Sequence, residues 1–417
     1  MSYVDHLRAA LAELDWILLQ RLADIAARAG ASLYIVGGPV RDCLLRRTVT
    51  DLDLTTEGDA LTLARSMARE LGGAWKKFDR FGTAKLILPG RSSPIDLATT
   101  RTETYAHPGA LPEVTRGTIE TDLIRRDFTI NAMAIQLDGE QQGTLIDLHG
   151  GESDLYSGTL RVLHDRSFED DPTRLFRGAR FEQRFNFTFA YDTERIIPAS
   201  LPMIDRVSGD RIRHELELIY RETQPVKALL RLHEWGALRQ IDHELQVDEW
   251  IVERFQSQAA PFDAFACWVW LACRLSESSL TRFNQRVNLA RADAVDLAQV
   301  RAMRAVAETI GQLNSRSRIY RALADYHERS LRAALTVIDQ AEARAALLLY
   351  LNELREVKPA LDGGRLQEMG VPRGPRIGRI LAEVHDALLD GLIATPAQEE
   401  EYAQQIMARE GRGASRT

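Results

Sequence analysis

The first part of the chain mixes short apolar runs with amphipathic helical stretches. Short runs of branched and apolar side chains, bounded by turn residues, predict β-strands at residues 33–36, 51–55, 83–88, 95–99 and 133–137. A helical spacing of apolar side chains predicts one helix over residues 60–71 and a lead-in helix over residues 1–30, ending near Gly30. The pattern therefore indicates a small α/β domain that contains a sheet.

After the turn at His149-Gly150-Gly151 the pattern becomes helical. Beyond Phe168 the chain is rich in Leu, Ala, Arg and Glu, with breaks at proline, glycine and serine. Residues 223–241 predict a helical hairpin, residues 293–351 predict long helices, and residues 410–417 predict disorder. The predicted fold class is an α/β head with a small sheet, followed by an elongated all-α neck, body and tail. The predicted boundaries are 1–30 for the N-terminal helix, 31–150 for the head, 151–220 for the neck, 221–310 for the body and 311–417 for the tail.

Composition narrows the class of protein. The formal net charge of −7 argues against indiscriminate nucleic-acid binding but leaves room for a local basic surface. Residues 301–335 contain seven arginines and three acids, which indicates either a solvated helical face or a surface that contacts RNA. The three cysteines lack a CxxC pattern, and no apolar stretch reaches the length of a membrane span. We therefore expect a cytoplasmic protein with no membrane association and no evident obligate protein partner.

A glycine turn follows the first predicted strand, in the segment Ile35-Val36-Gly37-Gly38-Pro39-Val40-Arg41-Asp42. Gly37 and Gly38 allow the backbone to approach a bulky group closely. A helix that begins just after them offers free N–H groups to a phosphate, and Arg41 in its first turn adds a planar, bidentate donor. The alternative is an ordinary tight turn.

Carboxylates follow at a spacing that suits a metal ion. Asp51 and Asp53 would point the same way from one strand, and two hard oxygen ligands suit Mg²⁺. Asp96 lies on another short apolar strand, which could pair beside the first. Three carboxylates around two metal ions would suit nucleotidyl or phosphoryl transfer. The alternatives are a solvated strand face and an Asp96–Arg101 ion pair.

The segment GGPVRDCLLRRTVTDLDL resembles the first motif of the class II tRNA nucleotidyltransferases, the family of CCA-adding enzymes and bacterial poly(A) polymerases. The resemblance implies a head of the nucleotidyltransferase type with two Mg²⁺ held by Asp51 and Asp53. It also implies that Asp96 is the third catalytic acid. Gly37, Gly38 and Arg41 would then contact the incoming nucleotide.

A second string, Arg125-Arg126-Asp127-Phe128-Thr129-Ile130-Asn131, places two arginines and an acid before an apolar segment that Asp127 could cap. It resembles the RRD motif of the same family. The resemblance implies that Arg126 contacts the nucleotide and that Asp127 and Asn131 lie near its ribose. A ribose contact would favour ribonucleotides over deoxyribonucleotides.

A third string begins a helix at Asp170-Asp171-Pro172. Asp171, with Arg174, Arg177 and Arg180 at successive intervals of three residues, would line one slowly drifting helix face, with Asp171 in the first turn. Asp171 can accept from the exocyclic amine of C or A, and Arg174 can donate to a ring acceptor. An ion-paired helix is the alternative. The resemblance implies the base-selecting amino-acid template of the family, with Asp170 where glutamate is usual, and Arg177 and Arg180 holding triphosphate oxygens.

Two further segments resemble the family. The segment from Asp205 to Leu216, DRVSGDRIRHEL, predicts a helix start capped by Ser208, which would support the template helix rather than take part in catalysis. The turn that contains Arg373 and Arg376 precedes a late helix and is a candidate tRNA contact.

These observations lead to the hypothesis of a template-independent enzyme that adds C, A or both to the 3′ end of tRNA from CTP and ATP, releasing pyrophosphate. The alternatives are a bacterial poly(A) polymerase and a non-catalytic RNA-binding paralogue. A metal phosphohydrolase, suggested by the pairs His164-Asp165 and His385-Asp386, lacks further ligands at a suitable spacing.

The sequence leaves the added nucleotides open. Family members that complete CCA or add A tend to carry a flexible, charged loop between the third acid and the RRD motif. The corresponding residues here, 102–114, contain no arginine or lysine. This composition argues against complete CCA addition but does not settle it.

Overall fold

The computed structural model describes residues 3–78, 82–104 and 113–414. The chain forms two compact units, one of Met1–Val247 with Gln285–Asn288, and one of Asp248–Asn284 with Leu289–Thr417. In the described part of the chain, every helix is too short or too polar to cross a membrane.

The strands of the first unit lie between residues 33 and 189. They are β1 (Leu33–Val36), β2 (Asp53–Thr56), β3 (Ala74–Phe78), β4 (Thr83–Ile87), β5 (Ile95–Thr99), β6 (Arg101–Thr104), β7 (Glu113–Arg116), β8 (Met133–Gln136), β9 (Leu145–Asp147), β10 (Thr159–Leu160) and β11 (Thr188–Phe189).

Seven of these strands form one sheet in the order β3-β4-β5-β2-β1-β8-β9. β2 and β5 run parallel, and the other neighbouring pairs are antiparallel. The register of the parallel pair sets Asp53 opposite Asp96. β6 and β7 form a separate antiparallel pair that flanks residues 105–112. Those eight residues, which hold most of the loop singled out in the sequence, lie outside the described residues.

The helices of the first unit cover and extend this sheet. They are α1 (Tyr3–Ala10), α2 (Glu13–Arg28), α3 (Gly38–Leu44), α4 (Ala60–Glu70), α5 (Ile119–Ile124), α6 (Gly151–Ser157), α7 (Ser167–Asp170), α8 (Thr173–Phe185), α9 (Tyr191–Glu194), α10 (Ile197–Ser200), α11 (Gly209–Tyr220) and α12 (Pro225–Trp235). Single 3-10 segments occur at Thr129–Asn131, Leu201–Arg206 and Leu238–Gln240.

The centre of the sheet is buried on both faces. All four residues of β1 are buried, as a continuous apolar run predicts for a central strand. α5 packs on one face through Ile119 and Leu123, which meet Tyr34 and Val36. α4 packs against β3, β4 and β5, and its Asp59 caps the helix by accepting from the backbone of the first turn. α8 packs against α11 and α12. Arg174 and Arg177 of α8 also donate to residues of the 125–131 segment, which connects this helical layer to the sheet.

The second unit is helical. Its helices, with α15 ending inside the 285–288 segment of the first unit, are α13 (Glu249–Gln256), α14 (Ala264–Ala272), α15 (Glu277–Arg286), α16 (Arg291–Ala305), α17 (Ala307–Gly311), α18 (Arg316–Leu323), α19 (Glu328–Ala334), α20 (Ala341–Leu349), α21 (Gly363–Glu368), α22 (Pro375–Leu389) and α23 (Pro396–Ala414). A π-helical turn, Tyr350–Leu354, extends α20. Apolar side chains of the second unit form a core of their own, in which Leu366, Val384 and Ala403 are fully buried.

The predicted strands at 33–36 and 95–99 are confirmed at both ends, and those at 83–88 and 133–137 end one residue earlier. The strand predicted at 51–55 was wrong at its start, because pairing with β1 and β5 begins only near Asp53. β3, β6, β7 and β9 were missed, as were the two-residue strands β10 and β11. β3 and β9 are edge strands of the large sheet and β6 and β7 form a two-stranded pair, so their side chains stay partly exposed and give a weak apolar pattern.

Several helix predictions needed correction. The lead-in helix divides at Leu11 and Ala12 into α1 and α2. The predicted hairpin at 223–241 is one helix, α12, because Gly236 adopts a left-handed conformation and only a 3-10 turn follows. Residues 293–351 form mostly short helices rather than long ones. The predicted disorder at 410–417 was wrong for residues 410–414, which continue α23.

Candidate active site

A cavity of about 770 Å³ lies in the first unit, where the glycine turn, β2, the residue 125–131 segment, α8 and α11 meet. Most of its polar side chains are arginines and acids. It is lined by Gly37, Gly38, Arg41, Asp53, Arg101, Glu103, Arg125, Arg126, Asp127, Asn131, Asp171, Thr173, Arg174, Arg177, Arg180, Phe181, Arg184, Asp210, Arg211, His214 and Glu215. All the predicted site residues except Asp51 and Asp96 are therefore brought to one cavity.

Gly37 joins β1 to α3 at φ 71°, a conformation that side chains strongly disfavour. Its N–H donates to the Met133 carbonyl at 3.0 Å, which ties the turn to β8. A Cβ added at this position would lie 2.7 Å from Nη1 of Arg126. The turn therefore packs directly on the arginine that the sequence assigns to the nucleotide.

Replacing Gly37 with alanine should displace the Arg126 guanidinium and raise the KM for nucleotide about tenfold. The positive φ adds a folding penalty of about 1–2 kcal/mol. The matched control is Gly30→Ala, which also has a positive φ but open space around the added methyl. Steady-state kinetics and thermal melts of both variants test this. If the KM for nucleotide rises equally in the two variants, the rise is due to backbone strain and not to displacement of Arg126.

Arg41 occupies a different environment from the one predicted. Its side chain is buried, donates from Nη1 to Asn131 at 2.7 Å, and pairs through Nε and Nη2 with Asp42 at 2.9 and 3.0 Å. The guanidinium stacks 4.6 Å from the Phe185 ring centroid. Burial lowers the pKa of Arg41, although the Asp42 carboxylate opposes this shift. In this structure Arg41 orients the wall of the cavity through Asn131.

Asp53 is the one residue of the predicted carboxylate set that lines the cavity. Asp51 lies in the coil before β2 and is exposed. Asp96 is exposed opposite Asp53, and its carboxylate pairs with Lys85 at 2.8 Å across the β4–β5 register. Burial raises the pKa of Asp53, and the charges of Asp96 and Asp51 raise it further, while Arg126 opposes the shift. The three acids therefore share one electrostatic environment.

The predicted cluster of three carboxylate metal ligands is not assembled. Within residues 3–78, 82–104 and 113–414, no three acidic, histidine or cysteine side chains are grouped so that they could hold a metal ion. In this structure Lys85 pairs with Asp96, and Asp51 lies in the coil that precedes β2.

Asp122 anchors the paired arginines and was missed from the sequence. It is fully buried in α5 and accepts from Nη2 of Arg125 at 2.7 Å and Nη2 of Arg126 at 2.9 Å. The Nε of Arg126 is buried and has no hydrogen-bond partner within the described structure. The spacing of three and four residues between the acid and the two arginines was the available signal.

Asp127 connects the sheet to α8. Its Oδ1 accepts from the Phe128 N–H at 2.8 Å and from Asn131 Nδ2 at 3.0 Å, and its Oδ2 accepts from Nε and Nη2 of Arg177 at 2.8 and 2.6 Å. Burial alone would raise the pKa of Asp127, but the Arg177 charge and the Asn131 hydrogen bond lower it to about 2. The same carboxylate raises the pKa of Arg177. Both acceptor oxygens are therefore already engaged by protein donors.

Asp171 and Arg174 stand on either side of the start of α8. The prediction that Asp171 lies in the first helical turn was wrong, because its backbone is extended and the helix begins at Thr173. Its carboxylate accepts from the Thr173 N–H and Oγ1 at 3.1 and 2.7 Å, and from Arg211 Nη2 at 2.7 Å. Asp171 therefore acts as a cap at the helix start.

Arg174 is buried and held by oxygens of the preceding segments. Its Nη1 donates to Ser167 Oγ at 2.6 Å, and its Nη2 donates to the Arg125 carbonyl at 2.7 Å. These bonds hold the guanidinium at the cavity wall and link α8 to the paired arginines.

The remaining arginines of α8 face α11. Arg180 is buried, 3.9 Å from Glu215 and 3.7 Å from Glu222, and burial lowers its pKa. Burial also raises the pKa of Glu215, although Arg177 and Arg180 oppose the shift. The Nε of Arg180 and one oxygen of Glu215 are buried without a hydrogen-bond partner among the described residues.

The role predicted for the 205–216 segment was too narrow. α11 begins at Gly209 as predicted and packs against α8, but Ser208 makes no side-chain cap. Arg211, His214 and Glu215 line the cavity. These residues were not predicted, because the partners of Arg211 and Glu215 at the start of α8 and within it lie 35 to 40 residues away in the chain.

Comparison with protein families gives two matches. Residues 33–161 match the family described as poly A polymerase head domain. Residues 186–247 match the one described as probable RNA and SrmB-binding site of polymerase A.

Curated relatives match most of the chain. An A-adding tRNA nucleotidyltransferase of Halalkalibacterium halodurans is 33% identical over 93% of this chain and 92% of its own length. One of Geobacter sulfurreducens is 34% identical over 93% of this chain, which spans only 47% of that longer protein. A CC-adding tRNA nucleotidyltransferase of Deinococcus radiodurans is 38% identical over 52% of this chain and 58% of its own length.

Solved structures share the fold over nearly the whole chain. The apo form II of a CCA-adding enzyme has a TM-score of 0.80 at 29% identity and covers 98% of this chain and 99% of that one. The Thermotoga maritima CCA-adding enzyme complexed with tRNA has a TM-score of 0.72 at 29% identity, covering 98% of both chains. A complex of a CCA-adding enzyme with ATP has a TM-score of 0.78 at 28% identity and covers 98% of this chain and 99% of that one.

Proposed function

We propose that this chain, which belongs to the tRNA nucleotidyltransferase family, adds the terminal A to tRNA that ends in CC. ATP would be the donor, and pyrophosphate would leave. The observation that carries the activity is the convergence of Asp53, Arg126, Arg177 and the Asp171–Arg174 pair on one cavity. The relatives that match 93% of the chain are A-adding enzymes, which favours A over C.

The residues suggest a division of labour in the cavity. Arg126 lies close to the Gly37 turn, and its buried Nε has no hydrogen-bond partner among the described residues, so it is the best candidate for a triphosphate contact. Arg177 and Arg180, on α8, add positive charge to the cavity lining. A planar guanidinium binds phosphate oxygens in a bidentate manner, so these side chains would orient the triphosphate for in-line attack. Arg41, held by Asp42 and Asn131, would act by fixing the position of Asn131 in the cavity lining.

The carboxylates fit a divalent cation. Burial and the neighbouring acids raise the pKa of Asp53, and the positive charge of a bound cation would favour the ionised carboxylate and so oppose this rise. Mg²⁺ is usually held by one or two carboxylates together with substrate phosphates, so a three-carboxylate cluster is not required. Asp53 with Asp51 would hold the ion, and Asp96 would assist after release from Lys85. When bound, Mg²⁺ would lower the pKa of the attacking 3′-hydroxyl and neutralise charge on the triphosphate.

Base selection would follow from hydrogen-bond chemistry. Asp171 presents an acceptor and Arg174 a donor, both fixed by protein contacts at the start of α8. Adenine and cytosine both offer an exocyclic amine and a ring acceptor, whereas guanine and uracil place a carbonyl where the amine would be. The pair would therefore exclude GTP and UTP.

The tRNA contacts, including Arg373 and Arg376, and the cytoplasmic location stay predictions.

Incorporation assays test this proposal. Labelled ATP and CTP are supplied separately and together, with Mg²⁺, to tRNA ending at the discriminator base, at C and at CC. We expect ATP to be incorporated once, and only on the CC end. CTP that stops after two residues would make the chain a CC-adding enzyme, which the Deinococcus relative favours. Long A tails on any RNA would identify a poly(A) polymerase, and no incorporation would contradict the enzymatic proposal.

A further inference from the structure

The carboxylate of Asp171 is held in a way that leaves its two oxygens unequal. Oδ1 accepts from the Thr173 N–H at 3.1 Å, from Thr173 Oγ1 at 2.7 Å and from Arg211 Nη2 at 2.7 Å. Among the described residues, Oδ2 accepts only from Arg211 Nη2, also at 2.7 Å. Since a carboxylate oxygen offers two lone pairs, Oδ1 is saturated and Oδ2 keeps capacity for a further donor.

Arg211 is suited to set this arrangement. It lies on α11, 40 residues from Asp171 in the chain, and lines the same cavity. Its Nη2 also lies 3.3 Å from Thr173 Oγ1, so arginine, threonine and carboxylate form one cluster at the start of α8. In the described part of the chain, Asp171 is the carboxylate with which Arg211 forms an ion pair. If Arg211 served only to pack α11 on α8, its guanidinium would not need to donate to both carboxylate oxygens of Asp171, an acid that lines the cavity.

We propose that Arg211 is a positioning residue for base selection, which holds Asp171 so that Oδ2 accepts the exocyclic amine of the incoming base. The inference rests on the proposed function, since it assigns a role within the same nucleotide cavity. Arg211 itself would not touch the base. Its effect would pass through Asp171, and it would therefore change the discrimination between bases with and without the amine.

The test compares ATP with purine riboside triphosphate, which lacks the exocyclic amine but keeps the ring acceptor. kcat/KM is measured for both on tRNA ending in CC, for wild type, Arg211→Gln, Arg211→Lys and Asp171→Asn. Arg213→Gln is the matched control on the same helix, because Arg213 pairs with Asp210 and lies outside the cavity lining. Wild type should prefer ATP by about 10- to 100-fold, the value of one hydrogen bond to a charged acceptor.

We expect Arg211→Gln to lower this preference about tenfold, with most of the loss in kcat/KM for ATP and little in that for the analogue. Arg211→Lys should recover part of it, Arg213→Gln should keep the wild-type ratio, and Arg211→Gln added to Asp171→Asn should lower the ratio no further. An unchanged ratio in Arg211→Gln, or an equal loss with both triphosphates in both Arg211 variants, would overturn the inference. Wild type that incorporates neither triphosphate would instead contradict the proposed function.

Discussion

Replacing Asp53 with asparagine should abolish nucleotide incorporation while leaving the fold intact. Metal-bound carboxylates contribute several kcal/mol of transition-state stabilisation, so we expect a loss of about 1000-fold or more in kcat/KM. Asp53 is the carboxylate of the predicted set that lines the cavity, and its nearest acidic neighbour in the register, Asp96, is engaged by Lys85. Single-turnover incorporation of ATP on tRNA ending in CC measures the effect.

The pH dependence of stability gives a second readout for the same variant. Folding raises the pKa of Asp53 above its usual 3.8, through burial and the charges of Asp96 and Asp51. The folded chain therefore favours the neutral acid, and the contribution to stability is lost as pH rises from about 4 through the raised pKa. Thermal melts without divalent cations should show this decline in wild type and not in Asp53→Asn.

Mg²⁺ links the two readouts without using activity. Adding Mg²⁺ at pH 7 should raise the melting temperature of wild type more than that of Asp53→Asn, since a ligand that binds the folded state stabilises it. Asp24→Asn, an exposed acid on α2, is the control and should behave as wild type throughout. Wild-type incorporation by Asp53→Asn would rule out Asp53 as a catalytic residue, and an identical response to Mg²⁺ would argue against metal binding there.

Replacing Asp127 with alanine should destabilise the first unit by about 3–5 kcal/mol, because it removes one partner of a buried ion pair. Arg177 would lose both of its short hydrogen bonds, and Asn131 would lose an acceptor. For a unit of this size the melting temperature should fall by about 6–20 °C. The KM for ATP should also rise, since Arg177 would no longer be held at the cavity wall.

The sign of the pH effect is opposite to that of Asp53. The pKa of Asp127 is lowered to about 2 in the folded chain, so its contribution to stability is present above pH 4 and is lost as pH falls towards 2. The difference in stability between wild type and Asp127→Asn should therefore shrink over that range. Glu169→Gln, which breaks an exposed pair with Arg166 at 3.4 Å, should change stability by less than about 1 kcal/mol. Equal effects of the two variants would contradict the assigned importance of the buried pair.

The amino-acid sequence by itself determined the central strands and the order of the site motifs. β1 is specified by an apolar run that is buried throughout, and β5 by an alternation in which Ile95 and Leu97 are buried and Asp96 is exposed. The turn at Gly37 is specified by a conformation that side chains disfavour. The site motifs were visible because local spacing and their resemblance to a known family reinforced each other. Edge strands such as β3 escaped notice because their side chains remain exposed.

The tertiary structure alone decided which partner each charged group takes. Arg177 meets Asp127 across 50 residues of chain, Asp171 meets Arg211 across 40, and Asp96 meets Lys85 through the register of two strands. Arg41, predicted to reach a phosphate, lines the cavity and donates to Asp42 and Asn131. Charge pairing depends on distance and burial, which a linear pattern does not contain. The sequence could therefore name many charged residues of the site, but not their contacts and not partners such as Asp122 and Glu215.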